Sequence, residues 1–196
     1  ISKDLQMNNH YVVSDSLDCK INLNEKDAVT INVKENAKAC LFFKNSKGTK
    51  STIDVTLQEN AICEMFGFFK NKSFDTDIKT TVVHKGKKSK CNQDFRFVNK
   101  KSNTSFEGKI VIPKDISGCE SHMLNKNILL DNQSDAYSKP ELEIHNDDTI
   151  CTHGCTIGAL DEEQIFYLQH RGLTYDEAVE ILVQGFTQGR VRKFYK

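Results

Sequence analysis

Three side chains able to bind soft or borderline metals fall within one short run: Cys151-Thr152-His153-Gly154-Cys155. Thiolate and imidazole are natural ligands for iron and iron–sulfur units. On an extended strand alternate residues share a face, so Cys151, His153 and Cys155 would address one site. The spacing matches neither closed zinc sites nor ferredoxin runs. A buried Cys beside a hydrogen-bonded His at a strand-to-helix junction is the plain alternative. His10, His84, His122, His145 and His170 have no comparable company, although His145 stands on the strand just before the motif. The other cysteines, at 19, 40, 63, 91 and 119, are evenly spread and bring the total to an odd seven. No basic-then-apolar leader follows Ile1-Ser2-Lys3-Asp4. Such a set fits small buried hydrophobes in a reducing compartment better than a disulfide framework.

The elements that must position this motif fall into two styles. From Tyr11 to about Cys151 the chain alternates apolar and polar residues over short runs. The segments 29–33, 53–57, 81–83, 95–98, 109–112, 127–130 and 141–144 read as strands. Polar breaks at 24–27, 45–48, 85–87 and 131–134 separate them. Val33-Lys34-Glu35-Asn36-Ala37 is echoed further on by Leu57-Gln58-Glu59-Asn60-Ala61. Such units bury their inward side chains only by stacking on neighbours. Asn-Gly and Asp-Gly hairpin signals do not occur, which favours a parallel β-helix over a sandwich.

After residue 157 the pattern becomes helical. Asp161-Glu162-Glu163-Gln164 opens one helix, carrying Ile165, Phe166 and Leu168, and Arg171-Gly172 ends it. Thr174-Tyr175-Asp176-Glu177 is a capping box for a second, expected to set Ala178, Ile181, Leu182 and Phe186 on one face. This divides the chain into a β-helix core, 1–157, and a helical hairpin, 158–196, ending in a basic, aromatic tail from Val191 that is expected to fray.

Lys+Arg and Asp+Glu both number 27, so the formal net charge is zero. Residues 1–118 carry 20 basic and 14 acidic side chains, and 119–196 carry 7 and 13. Between Lys79 and Lys101 basic residues interleave with Phe95 and Phe97, a candidate nucleic-acid strip. Overall neutrality and the lack of an RNA-binding motif favour the solvated rim of inward-facing strands, hence no nucleic-acid partner. No window approaches a membrane span, so no membrane partner is expected.

Residues 138–186 carry a more specific signal: Lys139-Pro140-Glu141-Leu142-Glu143-Ile144, the double Asp147-Asp148, Cys151-Thr152-His153-Gly154, Asp161-Glu162-Glu163, Phe166-Tyr167-Leu168 and Gly185-Phe186. This stretch resembles the C-terminal part of the SufB/SufD family of iron–sulfur cluster assembly proteins, most like its SufD branch. The resemblance implies a mainly β fold: a right-handed parallel β-helix with a small C-terminal α-helical hairpin. It implies a non-enzymatic scaffold of the SUF system that pairs with SufB and docks the SufC ATPase. Docking would use Ile165, Phe166, Leu168, Ile181, Leu182 and Phe186. It also implies that Cys151 and His153 match the family's Cys and His at the SufB interface and are tentative metal ligands, with Cys155 beside them where the family usually has Ala.

No cofactor is expected to bind stably; iron or an iron–sulfur cluster would pass transiently at the SufB interface. Gly154 stands where SufB carries a Glu, and 125–129 has no Cys where SufB carries its essential one. Both departures favour a helper over a self-sufficient scaffold. Family members carry a further N-terminal helical region for which this chain is too short, which points to a trimmed or minimal version. Isolated, such a chain is expected to form a homodimer through its exposed sheet edge. The implied location is the bacterial cytoplasm or a stroma-like organellar compartment, without secretion. The competing readings are a β-helix carbohydrate-active enzyme, which needs clustered carboxylates on adjacent coils, and a SufB-like scaffold that itself carries the cluster.

Overall fold

The computed structural model describes residues 5–7 and 9–191, with side chains for 9–187. The basic tail from 192 onward lies outside the described residues. The strands are β1 (Leu5–Met7), β2 (His10–Val13), β3 (Ser16–Leu23), β4 (Ala28–Val33), β5 (Lys38–Asn45), β6 (Thr49–Leu57), β7 (Ile62–Lys72), β8 (Thr76–His84), β9 (Lys90–Lys100), β10 (Asn103–Ile112), β11 (Cys119–Leu129), β12 (Asp135–Ile144) and β13 (Thr149–Ala159). Two helices follow, α1 (Glu162–Gln169) and α2 (Tyr175–Val191).

Even-numbered strands, with β1, form one sheet, in the order β1-β2-β4-β6-β8-β10-β12; the remaining odd-numbered strands form the other, β13-β11-β9-β7-β5-β3. Every pairing is parallel except β1 with β2. The chain therefore crosses from sheet to sheet at each break and returns one coil further on: a parallel β-solenoid, as the alternation and repeat predict. The coils lengthen along the chain. His10 pairs with Thr30 in the first coil, whereas Ile110 pairs with the more distant Leu142 in the last.

The echo in the sequence is one coil: Val33 lies beside Leu57. Asn36 and Asn60 turn the corner with φ of 60° and 53°, and Lys88 and Gly118 do so on the next two coils with φ of 57° and 68°. Asn tolerates this left-handed conformation better than most residues. Each corner N–H donates to the next coil's carbonyl: Asn36 to Glu59, Asn60 to Lys87, Lys88 to Ser117 and Gly118 to Asp148, at 2.7–3.0 Å. Gly86 is dictated by space, because a Cβ there would lie 1.9 Å from the Glu59 nitrogen.

Inward side chains stack from coil to coil. Phe69 and Phe97, in register on neighbouring coils, lie 4.8 Å apart between centroids, and Phe95 meets Phe106 of the other sheet across the interior at 5.1 Å. At the other corner the interior is polar. Asn71 donates to Asn99 at 2.8 Å and to Thr104 at 3.0 Å, and accepts from Thr76 at 2.9 Å. Phe95 and Phe97 are fully buried, so they offer no base-stacking platform. Three of the basic residues around them are paired: Lys79 with Glu107 at 2.9 Å, Lys90 with Glu120 at 2.7 Å and Arg96 with Asp94 at 2.8 Å.

Asp161 caps α1 by accepting from Glu163 N at 2.9 Å. Thr174 and Glu177 form the reciprocal box at the start of α2. Gly172, at φ 91°, ends the first helix. The hairpin lies on the outward face of the odd sheet. Val183 of α2 is buried with Val98 and Ile128, and Phe68, Leu130, Leu160, Val179 and Phe186 pack around them. Lys70 on β7 meets Glu180 at 2.8 Å. The Arg96 guanidinium is bidentate to Asp94 at 2.8 Å, donates to the Phe186 carbonyl, and sits 5.5 Å from the Phe186 ring centre. Val179, Val183 and Phe186 are thus the face of α2 on the solenoid, and Ala178 is fully buried. Ile181 departs from the expected face: it is 43% exposed, because its place on the helix, two positions before Val183, rotates it to the far side.

Candidate functional site

The Cys-Thr-His-Gly-Cys motif lies on β13, the last strand of the odd sheet, which β11 pairs on one side only. In register, Cys151 lies beside Ser121, His153 beside Met123 and Cys155 beside Asn125. Ser121, Met123 and Asn125 are buried and inward-facing. Alternation therefore puts all three motif residues on the inward face, and Thr152 and Gly154 on the outward one. Thr152 meets His122 Nδ1 across the outward face at 2.7 Å.

No further coil among the described residues covers this inward face. Cys151 is half-buried and packs against the main core. His153 and Cys155 are exposed, with Cys155 Sγ 3.9 Å from Asn125 Oδ1. Burial pushes the Cys151 thiol above its ordinary pKa, which disfavours the thiolate that binds metal. Among the described residues, no three His, Cys, Asp or Glu side chains gather closely enough to hold a metal ion. Alternate residues on a strand sit roughly 6–7 Å apart, so this row is a line of donors rather than a closed cage.

The opposite lip of the open end is β12. Its inward residues, Ser138, Pro140, Leu142 and Ile144, stand in register with Phe106, Gly108, Ile110 and Ile112. Its outward residues form a charged face, with Lys109 at 2.9 Å from Glu141 and 2.7 Å from Glu143. Both carboxyls are held below their usual range, chiefly by hydrogen bonds from Lys109. His145 ends this row, exposed, with Nε2 3.4 Å from Glu143. Asp147 and Asp148 lie in the turn that joins the two lips. The contributions of Ser121, Met123 and Asn125 were not legible in the sequence, because only the register between coils brings them beside the motif.

The six apolar hairpin residues separate. Ile165 is buried and Phe186 packs on the solenoid. Leu168 and Leu182 are half-buried, while Phe166 and Ile181 are 63% and 43% exposed. Tyr167 and Tyr175 extend the exposed aromatic surface, and Arg171 donates to the Tyr167 hydroxyl at 2.7 Å. No helix among the described residues is long and apolar enough to cross a membrane.

The comparisons agree with this architecture. Residues 8–186 match the family model described as SUF system FeS cluster assembly, SufBD core domain. The chain is 34% identical over 113 residues to the iron–sulfur cluster assembly protein SufD of Escherichia coli, covering 56% of this chain and 26% of that protein. It is 30% identical over 112 residues to an iron–sulfur cluster assembly SufBD family protein of Synechocystis, covering 57% and 25%. It is 28% identical over 111 residues to a SufBD family protein of Galdieria sulphuraria, covering 56% and 50%. The chain thus spans only a quarter to a half of these relatives. A family match running from the first coils through the helical hairpin, on a solenoid of this topology, makes the chain a member of the SufBD core family of SUF-system iron–sulfur cluster assembly proteins.

Proposed function

We propose that the chain is a SufD-like component of the SUF scaffold. It pairs with SufB through the open end of the solenoid, docks the SufC ATPase on its helical hairpin, and supports iron acquisition and cluster assembly without catalysis of its own. The observation that carries this reading is the last coil. β12 and β13 are each paired along one edge only, and an unpaired strand edge is a ready template for another chain. The Cys151–His153–Cys155 row and the apolar residues of β12 line the same open end. A second solenoid laid against it would cover both lips and trap the row at the joint, where iron or a cluster passes as cargo.

Exposed Phe166, Tyr167, Tyr175 and Ile181 support the hairpin as the SufC surface. Without SufB, the same edges pair with a second copy. All seven cysteines are free thiols, in keeping with a reducing compartment such as bacterial cytoplasm or an organellar stroma. The test is co-purification with SufB and SufC, with sedimentation of the isolated chain. Ile157, on β13 and 45% exposed, is the probe. Ile157→Glu should convert a dimer to monomer and remove SufB while retaining SufC. A chain that is monomeric at tens of micromolar and ignores SufB sinks the edge-pairing reading.

A further inference from the structure

We propose that the solenoid interior holds a hydrated chamber, in which water is hydrogen-bonded between Thr80 and Gln93 and closed off from the open end by Met123. The position follows from register. Gly108 and Met123 face each other across the interior: a Cβ on Gly108 would lie 2.4 Å from the Met123 sulfur, so the thioether occupies the slot the glycine leaves. One coil back, Gly108 pairs with Thr80 and Met123 pairs with Gln93. Thr80 and Gln93 therefore face each other in the same way. A further coil back the same positions are Ile53 and Met65, both fully buried. One coil forward they are Pro140 and His153, at the open end.

Thr80 and Gln93 are 1% and 0% exposed. Yet Thr80 Oγ1 and both amide atoms of Gln93 have no hydrogen-bond partner in the protein. Buried polar atoms of this kind are paired with protein or with water in the great majority of cases. The occupant must offer both donor and acceptor, since an amide needs each and a hydroxyl takes either. The register neighbours of Thr80 and Gln93 one coil to either side are Ile53, Met65, Gly108 and Met123, none of which carries a charge to hold an ion. Water meets these conditions.

Met123 is an unbranched side chain with several rotatable bonds, and it is the piece that can swing aside. Ser121, two positions before it, is fully buried with its Oγ also unpartnered. Ser121 stands in register with Cys151, so the way past the plug is itself polar. The chamber thereby lies two coils back from the Cys151–His153–Cys155 row, with the Met123 coil between them.

Oxygen-17 relaxation dispersion of water on the full chain reads this directly. The parent should hold about one or two long-lived waters that Gln93→Met loses while keeping the parent's circular dichroism. An unchanged dispersion amplitude in that variant overturns the chamber. Met123→Ala should shorten the residence time at least tenfold, and an unchanged residence time overturns closure by Met123. Should Gln93→Met fail to fold, a high-resolution crystal structure of the parent decides. Ordered water within about 3.2 Å of the Gln93 amide supports the proposal, and an amide satisfied by protein groups alone refutes it.

Discussion

Asn60 Nδ2 donates to Asn36 Oδ1 at 3.0 Å, across one coil of the solenoid. Both residues hold the left-handed backbone that turns the corner, and both corner N–H groups bond to the following coil. A β-branched residue cannot adopt this conformation cheaply and cannot replace the amide. Asn60→Val should therefore cost about 2 kcal/mol in urea unfolding, from backbone strain plus a lost hydrogen bond. Asn60→Gly should recover most of that cost. Equal losses in the two variants would mean that the backbone conformation is not the cause.

His84 supplies a pH dependence with a definite sign. Its Nδ1 meets Ser89 Oγ at 2.7 Å, and Ser89 donates to the Gly86 carbonyl at 2.7 Å, so Nδ1 carries the proton of a neutral ring. Burial lowers the folded pKa to about 4, from 6.5 in the open chain. Between these values the unfolded chain binds the extra proton. Stability is therefore complete above pH 6.5 and falls as pH drops toward 4, by up to roughly 3 kcal/mol. His84→Gln should remove this fall, so that the parent-minus-variant difference shrinks across that window. A difference that does not change between about pH 7 and 4.5 contradicts the neutral buried ring.

Phe166 and Phe186 should behave in opposite ways. Phe166 is 63% exposed, so Phe166→Asp should leave the melting temperature unchanged and weaken SufC capture at least tenfold. Phe186 packs against the outward face of the odd sheet and beside Arg96. Phe186→Asp would put a second carboxylate near Asp94, which is 5% exposed and paired to Arg96, and should lower the melting temperature clearly. SufC capture at parental strength by Phe166→Asp would place the docking surface elsewhere.

His153 faces the open end and is exposed. His153→Ala should melt with the parent, because little packing is lost at an exposed site. Iron–sulfur assembly by the complete complex should nevertheless drop sharply, with Cys151→Ser and Cys155→Ser compared alongside. Normal assembly by His153→Ala, in cells lacking the native gene, would reduce the role of this chain to partner docking.

Much of the architecture is written locally. Alternation in 29–33 and 53–57, the Asn36 and Asn60 corners, the Asp161 cap and the box of Thr174 with Glu177 each depend on neighbours close in sequence. That is why they were legible there. The shared face of Cys151, His153 and Cys155 follows from strand geometry alone.

Beyond the echo of 33–37 in 57–61, the linear chain could not supply what depends on which coil lies beside which. The coil that carries His10 to Thr30 is shorter than the one that carries Ile110 to Leu142, so no single period places both Thr30 beside His10 and His153 beside Met123. Only the folded register does. The same holds for α2. Its amphipathic pattern predicts that one face is covered, but Val98 and Ile128, the residues that cover it, lie on different coils and meet only when the sheet is assembled. Exposure of the motif is likewise tertiary, because an inward-facing row becomes a surface only where the solenoid stops adding coils.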